Sequence, residues 1–316
     1  MTRSPAAGPF ARLGGGARPG ISLWNEDGVQ GMVRRLGPRS IDVVVTSPPY
    51  NRGVPYGRYR DRKPREEYLA WMGELADAVA TTLRSRGSFF LNLGSPPTDP
   101  WFAWDVARRV GERFQLQNVL HWVKSIALDR RFIGRAVQVD RDLALGHYRP
   151  VASDRFVHSA QEYVFQFTRS GAVPIDRLAI GVPYQDPSNV ARWRRGSSGL
   201  RCRGNTWFLP YATIQERARD RPHPATFPPE LAEWCVRLHG LRRTRQLVDP
   251  FVGIGSTAVA AARLRVAFTG FDIDRTYLEI ARGRVRRELR LSRVPTAVGS
   301  GRSRGAAGST RASASS

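Results

Sequence analysis

Short apolar runs alternate with longer amphipathic stretches over most of this chain. Ile41 to Val45, Ser88 to Leu93, Asn118 to Val123, Tyr163 to Thr168, Gln246 to Val248 and Ala267 to Ile273 are rich in β-branched and aromatic residues, and they read as strands. Between two of them, Glu66 to Leu83 sets Leu69, Met72, Ala76, Val79 and Leu83 on one helical stripe, and Pro229 opens a second helix running to Leu238. Alternation of this kind predicts an α/β fold whose mostly parallel sheet carries helices on both faces. The periodicity weakens from Ser125 to Pro222, where Arg, Gly, Pro and Trp crowd together. Residues 1–20 and 292–316 read as disordered tails, because Gly, Pro, Ala, Ser and Arg bury too little surface to offset ordering entropy.

Composition narrows the class. Hydrophobic residues make up 41% of the 316, enough for a real core, which excludes a wholly disordered protein. No run approaches the ~18 apolar residues of a membrane span, and the start lacks the 7–15-residue apolar block of a signal peptide, so a cytoplasmic protein with no membrane partner is expected. Cys202 and Cys235 stand alone and no two His share H-x-x-x-H spacing, so neither a metal nor a disulfide is expected. Fifty basic against 27 acidic residues give a net charge of +23, which points to a polyanion, with nucleic acid first. Lys63 and Lys124 are the only lysines, and an arginine excess of this kind also follows from GC-rich coding.

Two loops carry candidate chemistry. In QLVDPFVGIGSTA a short strand runs into Gly253-x-Gly255-x-x-Ala258 and an Ala-rich helix, the glycine fingerprint that lets a backbone and a helix N-terminus approach an adenosine-containing cofactor. Asp272 follows Gly253 by 19 positions at the end of the next strand, where an acid accepts from ribose hydroxyls. The fingerprint falls late in the chain, so most of the sheet must come from upstream, as in a permuted fold. The second loop is Thr46-Ser47-Pro48-Pro49-Tyr50, directly after IDVVV. Prolines have no N–H, and their carbonyls are left to point into a pocket; Ser47, held extended before proline, can aim its hydroxyl the same way. Acceptors beside an aromatic ring suit a planar base with an exocyclic amine, Tyr50 stacking on the ring while Ser47 Oγ and the Pro48 carbonyl take the amine hydrogens. Stacking needs only an aromatic face, so Tyr50→Phe is expected to keep much of any activity. A rigid corner with a surface Tyr is the plainer reading of the same four residues.

With IDVVVTSPPYN, YGRYRD, EEYLAWM, GSFFLNLG, NVLHWVKS, RGNTWFLPY, RPHPATFPPEL, LVDPFVGIGSTAVAA and GFDIDRTYLEIA in this order, the chain from Ile21 to Leu289 resembles the permuted (β) class of S-adenosylmethionine-dependent DNA amino-methyltransferases, the N4-cytosine/N6-adenine family. The resemblance implies a doubly wound Rossmann-like methyltransferase sheet, circularly permuted, with an inserted target-recognition segment. Its implied units are a catalytic half at 21–124, sheet completion and target recognition at 125–222, and a cofactor-binding half at 223–291. It assigns catalysis to Ser47, Pro48, Pro49 and Tyr50. S-adenosylmethionine is assigned to Asp27, His223, Pro224, Asp249, Pro250, Phe251, Gly253, Gly255, Ser256, Thr257 and Asp272. In WNEDG, Glu26 replaces the family's usual Gly beside Asp27, and the glycine loop reads GIGST where GSGTT is commoner. DNA contacts are sought at Arg192, Arg194, Arg195, Arg201 and Arg203, with Trp193, Trp207 and the arginines of Arg217 to Arg221 beside them, a segment that also reads as a solvated basic surface with core tryptophans.

The implied partners are double-stranded DNA, which would place the chain at the nucleoid, and a cognate restriction endonuclease, with the protein itself a monomer or homodimer. Ser47 favours N4-methylcytosine as product, since enzymes resembling this one mostly have Ser before Pro-Pro for cytosine and Asp for adenine; N6-methyladenine stands second. A nicotinamide-dependent oxidoreductase would explain only the glycine loop and Asp272. A non-catalytic DNA-binding descendant conflicts with two intact loops, and an RNA or protein methyltransferase with Asn replaced by Ser47.

Overall fold

The computed structural model describes residues 8–16, 18–133, 141–146, 153–184, 199–210 and 226–291. Strands are β1 (Ala11–Gly15), β2 (Arg18–Asn25), β3 (Ile41–Thr46), β4 (Leu83–Leu93), β5 (Gln115–Val123), β6 (Ser125–Leu128), β7 (Leu143–Gly146), β8 (Gln161–Thr168), β9 (Val182–Pro183), β10 (Leu200–Arg201), β11 (Thr206–Phe208), β12 (Gln246–Asp249) and β13 (Ala267–Asp272). Helices are α1 (Gly28–Arg35), α2 (Arg65–Thr82), α3 (Phe102–Gly111), α4 (Arg130–Ile133), α5 (Pro229–His239), α6 (Ser256–Leu264) and α7 (Arg275–Leu291). None of the described helices is long and apolar enough to cross a membrane.

Nine strands form one sheet in the order β1-β2-β13-β12-β3-β4-β8-β5-β11. From β2 to β4 every pairing is parallel, and all six residues of β3 are buried, as expected of a strand covered on both faces. Only β8 runs against its neighbours inside the sheet, antiparallel to β4 and to β5. Helices α1, α2 and α3 cover one face, with Met32, Met72, Val79 and Val106 fully buried. The other face carries α5, α6 and α7, with Leu231, Ala260 and Leu278 beneath them. The stripe predicted on α2 is buried at Met72, Ala76 and Val79, joined by Tyr68 and Leu75; the helix stops at Thr82, and Leu83 already belongs to β4.

The chain start departs from expectation. Residues 11–20, read as tail, hold β1 and the first part of β2, and β2 pairs in parallel with β13, on the cofactor side of the sheet rather than with the catalytic half. Composition hid a short alternation: Ala11 and Leu13 point into the core while Arg12 is exposed. Gly14, at φ +78°, makes the turn possible, since a Cβ there would lie 2.7 Å from the Pro19 carbonyl oxygen. Phe10 packs on the same core beneath the guanidinium groups of Arg275 and Arg282. The tail expected at 292–316 lies outside the described residues.

Leu13 is 8% exposed, so Leu13→Ala is expected to destabilise the protein by about 2 kcal/mol, the low end for a buried Leu, because the site is at a sheet edge. Urea unfolding reads the shift. An unchanged midpoint would restore the tail interpretation.

Candidate active site

Because β2, β13, β12, β3 and β4 run the same way, their carboxyl ends share one edge of the sheet, and the order of strands reverses between β12 and β3. Such reversals open a crevice where α/β sheets bind ligands. A cavity of about 350 Å³ lies there, and its wall brings together Ser47, Pro48, Pro49 and Tyr50 after β3, Pro250, Phe251, Gly253 and Ser256 after β12, Asp272 at the end of β13, and Asp27 before α1. Residues from the two ends of the chain thus face one space.

Asp249, Gly255 and Thr257 are not in that wall; they build it from behind. The Asp249 carboxylate accepts from Thr46 Oγ1 and Thr257 Oγ1, each at 2.6 Å, and from the Phe251 amide at 3.0 Å. Burial pushes its pKa up to about 6 against the pull of those hydrogen bonds. Gly255, at φ +87°, starts α6, and a Cβ on it would stand 2.8 Å from Cβ of Ala281 on α7. Gly253 does face the cavity, and its amide donates to Asp272 Oδ2 at 2.9 Å. Asp272 also accepts from the Asp274 amide at 2.7 Å, and burial pushes its pKa up to about 6. Asp27 caps α1 by accepting from the Gln30 amide at 2.9 Å. The next residue, Gly28, is tight: an added Cβ would meet the Pro250 carbonyl oxygen at 1.9 Å.

Much of the wall was not singled out from the sequence. Tyr56, Tyr59, Trp71, Phe227 and Tyr277 line it, with Tyr59 stacked on Trp71 at 5.6 Å and Trp71 tilted against Phe251 at 5.2 Å. The Tyr59 hydroxyl is buried with no hydrogen-bond partner among the described residues. The loop bearing Tyr56 and Tyr59 is shaped by Asp61, which accepts from the amides of Asn51, Arg52 and Val54 at 2.7–3.0 Å. Gly57 lets this loop close on the turn after β13, since a Cβ there would lie 2.1 Å from Asp274 Oδ2. An acid behind an alternation of Tyr and Gly in GVPYGRYRD was the available signal.

Behind Ser47 and Tyr50 lies a polar cluster. Ser47 Oγ and Tyr50 Oη are 2.7 Å apart, and Tyr50 Oη is 2.9 Å from Glu162 Oε2. Asn92 Nδ2 donates to Tyr50 Oη at 2.8 Å and to Glu162 Oε2 at 2.7 Å, while Lys124 Nζ bonds Glu162 Oε1 at 3.1 Å. Glu162 sits at the start of β8, and because β8 is antiparallel its beginning reaches the edge where β4 and β5 end. Of the proline pair, the Pro49 carbonyl already accepts from Tyr68 Oη at 2.7 Å, which occupies one of its two acceptor sites.

Of the arginines assigned to DNA, Arg201 is exposed on β10, whereas Arg203 stacks 4.1 Å above Trp234 and donates to the Ile180 carbonyl at 2.9 Å. Trp207 is fully buried, its Nε1 donating to Gly204 O and its ring edge-on to Trp234, so it is a core residue, the plainer of the two readings. Arg192, Arg194, Arg195, Trp193, His223, Pro224 and the arginines of Arg217 to Arg221 lie outside the described residues.

Known proteins share the sequence pattern and the fold of this chain. A family model for DNA methylases of the N6/N4 methyltransferase type matches residues 41–283. The chain is 26% identical over 274 residues to the type II methyltransferase M.BglII of Bacillus subtilis, covering 82% of this chain and 67% of that one. It is 23% identical over 258 residues to the type II methyltransferase M.HpaI of Haemophilus parainfluenzae, covering 81% and 72%. Among solved structures, the fold is shared with the PvuII DNA methyltransferase (cytosine-N4-specific), at TM-score 0.54 and 20% identity over 84% of this chain and 86% of that one. A DNA modification methylase of Thermus thermophilus, complexed with S-adenosyl-L-methionine, gives TM-score 0.53 and 21% identity over 84% and 93%. With the family model spanning both loops and the sheet between them, the chain belongs to the N6/N4 family of S-adenosylmethionine-dependent DNA methyltransferases.

Proposed function

We propose that the chain methylates the exocyclic N4 amine of cytosine in double-stranded DNA at a short defined site. The observation that carries the reading is that Ser47, Pro48 and Tyr50 line the same cavity as Gly253 and Asp272. Ser47 before Pro-Pro favours cytosine, and the PvuII neighbour bears the description cytosine-N4-specific. As the relatives are type II methyltransferases, the natural companion is an endonuclease of the same specificity.

The wall fits the cofactor on its own chemistry. Asp272 is placed to accept from ribose hydroxyls, Asp27 and the aromatic side chains to flank an adenine, and the unpartnered Tyr59 hydroxyl to bond a polar ligand group. Pro250, Phe251, Gly253 and Ser256 would hold the remaining length, with Asp249, Gly255 and Thr257 keeping their loop in shape. When bound, S-adenosylmethionine supplies an electrophilic methyl on a sulfonium. An exocyclic amine is a poor nucleophile, since its lone pair is delocalised into the ring. Ser47 Oγ and the Pro48 carbonyl accept its hydrogens and draw the nitrogen toward a tetrahedral geometry. The base must first leave the helix, at a cost of a few kcal/mol, and the Tyr50 ring receives it. Holding donor and acceptor in line contributes up to roughly 7–11 kcal/mol. DNA recognition is assigned to the segment 125–222 and its arginines.

Nucleoside mass spectrometry of DNA treated with protein and labelled donor is expected to find label in N4-methyldeoxycytidine. Label in deoxyadenosine alone overturns the cytosine assignment, and label in neither base removes DNA as substrate.

Asp272→Ala should weaken cofactor binding by about 1.5–3 kcal/mol in calorimetry, the range for a hydrogen bond to a charged group. The pKa of Asp272 is raised to about 6, so protonation below that value costs the carboxylate its acceptor strength; affinity should fall as pH drops through about 6 and be flatter in Asp272→Asn. Equal affinity in the Ala variant, or an equal pH response in both proteins, takes Asp272 off the ribose.

A further inference from the structure

We propose that Glu162 is a positioning residue for methyl transfer: acting through Tyr50, it commits the Ser47 hydroxyl hydrogen inward and leaves Ser47 Oγ facing the target amine as an acceptor alone. The proposal rests on the assignment of Ser47 to the amine made above and extends the machinery to a strand the catalytic motif does not contain.

Hydrogens in the cluster can be counted. Tyr50 has one hydroxyl hydrogen, and three oxygens of the described residues compete for it: Glu162 Oε2 at 2.9 Å, the Asn92 main-chain carbonyl at 3.3 Å and Ser47 Oγ at 2.7 Å. Glu162 takes it, because a hydrogen bond to an ionised acceptor is roughly twice as strong as a neutral one. An ionised carboxylate only accepts, so the amide of Asn92 must turn its NH2 end toward Glu162, and the second hydrogen of that group then reaches Tyr50 Oη at 2.8 Å. Asn92 Nδ2 also lies 3.4 Å from Ser47 Oγ, but both of its hydrogens are taken by the two shorter bonds. The remaining acceptor site on Tyr50 Oη is filled by Ser47 Oγ–H. Without the carboxylate the serine hydroxyl could rotate and offer its hydrogen to the substrate amine, which has hydrogens of its own to place. Direction along the chain is thus amine to Ser47, Ser47 to Tyr50, Tyr50 to Glu162.

Two further features support the arrangement. Burial pushes the Glu162 carboxyl upward, yet Lys124, Asn92 and Tyr50 outweigh burial and hold it below the usual carboxylate range. Gly94 leaves the necessary room, since a Cβ on it would lie 3.1 Å from Cγ of Glu162 and 3.2 Å from Cε2 of Tyr50. A carboxylate serving only to neutralise Lys124 would need neither the phenol nor the glycine.

The test is a double-mutant cycle on the full chain with double-stranded DNA substrate, cofactor affinity being followed by calorimetry. Glu162→Gln and Tyr50→Phe are each expected to lower kcat about tenfold or more, the scale of one charge-assisted hydrogen bond, with KM for DNA and the Kd of the cofactor for Glu162→Gln changed little. For Tyr50→Phe this replaces the mild loss expected from stacking alone, since the hydroxyl now has a role of its own. Combined, the two should be no worse than Tyr50→Phe, because the phenol carries the short link from Glu162 to Ser47. Losses that multiply, or wild-type kcat in Glu162→Gln, overturn the proposal. If Glu162→Gln fails to fold with Lys124 unpaired, Glu162→Gln/Lys124→Met restores charge balance; it should remain slow, and wild-type kcat in it overturns the proposal equally. Ser47→Ala distinguishes the two levels of inference. Full activity in that variant removes Ser47 from the amine, whereas a slow Ser47→Ala beside an active Glu162→Gln removes only the role of Glu162.

Discussion

The buried carboxylate of Asp249 holds the two halves of the site to each other. It reaches Thr46 at the end of β3 and Thr257 in the first turn of α6, and those threonines border the two loops that face the cavity. Removing a carboxylate from water is costly, and it persists in a protein only where its oxygens are hydrogen-bonded. Asp249 meets that condition with two hydroxyls and an amide, and in doing so it joins the Ser47 loop to the Gly253 loop across 203 residues of chain. Asp249 itself does not line the cavity. Its influence is on where the two loops stand.

Charge is unevenly placed around this centre. The protein carries a net +23, yet the cavity is bordered by four carboxylates, Asp27, Glu74, Asp272 and Asp274, against two cations, Arg58 and Lys63. An excess of carboxylates favours a cationic sulfonium, whereas a net positive protein attracts a polyphosphate.

What the sequence disclosed follows from how local each signal is. Buried parallel strands announce themselves as apolar runs, and TSPPY and the glycine loop are contiguous, so their residues and Asp272 are legible in the sequence itself. Glu162, Asn92 and Lys124 come from separate parts of the sheet, and their association depends on β8 running backwards, which no single window of sequence reveals. Trp71 has the spacing of a residue on a packed helix and stands half-buried in a cavity wall; Trp207 has the company of a nucleic-acid contact and is core. Gly28 has no signal beyond its own small size, and only the proximity of Pro250 explains it. Ala11 and Leu13 are too few to register against their surroundings until β2 is seen beside β13.

Pairing strands from opposite ends of the chain also shapes how the molecule comes into being. Ribosomes emit about 5–20 residues per second, so β3, which ends at Thr46, waits on the order of 10–40 s for β12, which begins at Gln246. The hairpin made by β1 and β2 waits longer still for β13. During that interval the nascent chain exposes two long sheet edges and an apolar face, all of them surfaces that invite pairing with neighbouring polypeptides. A permuted order that gathers catalytic and cofactor loops at one crevice therefore transfers a burden to biosynthesis: the protein is most vulnerable to aggregation before its last two strands emerge, and those strands close both halves of the sheet together.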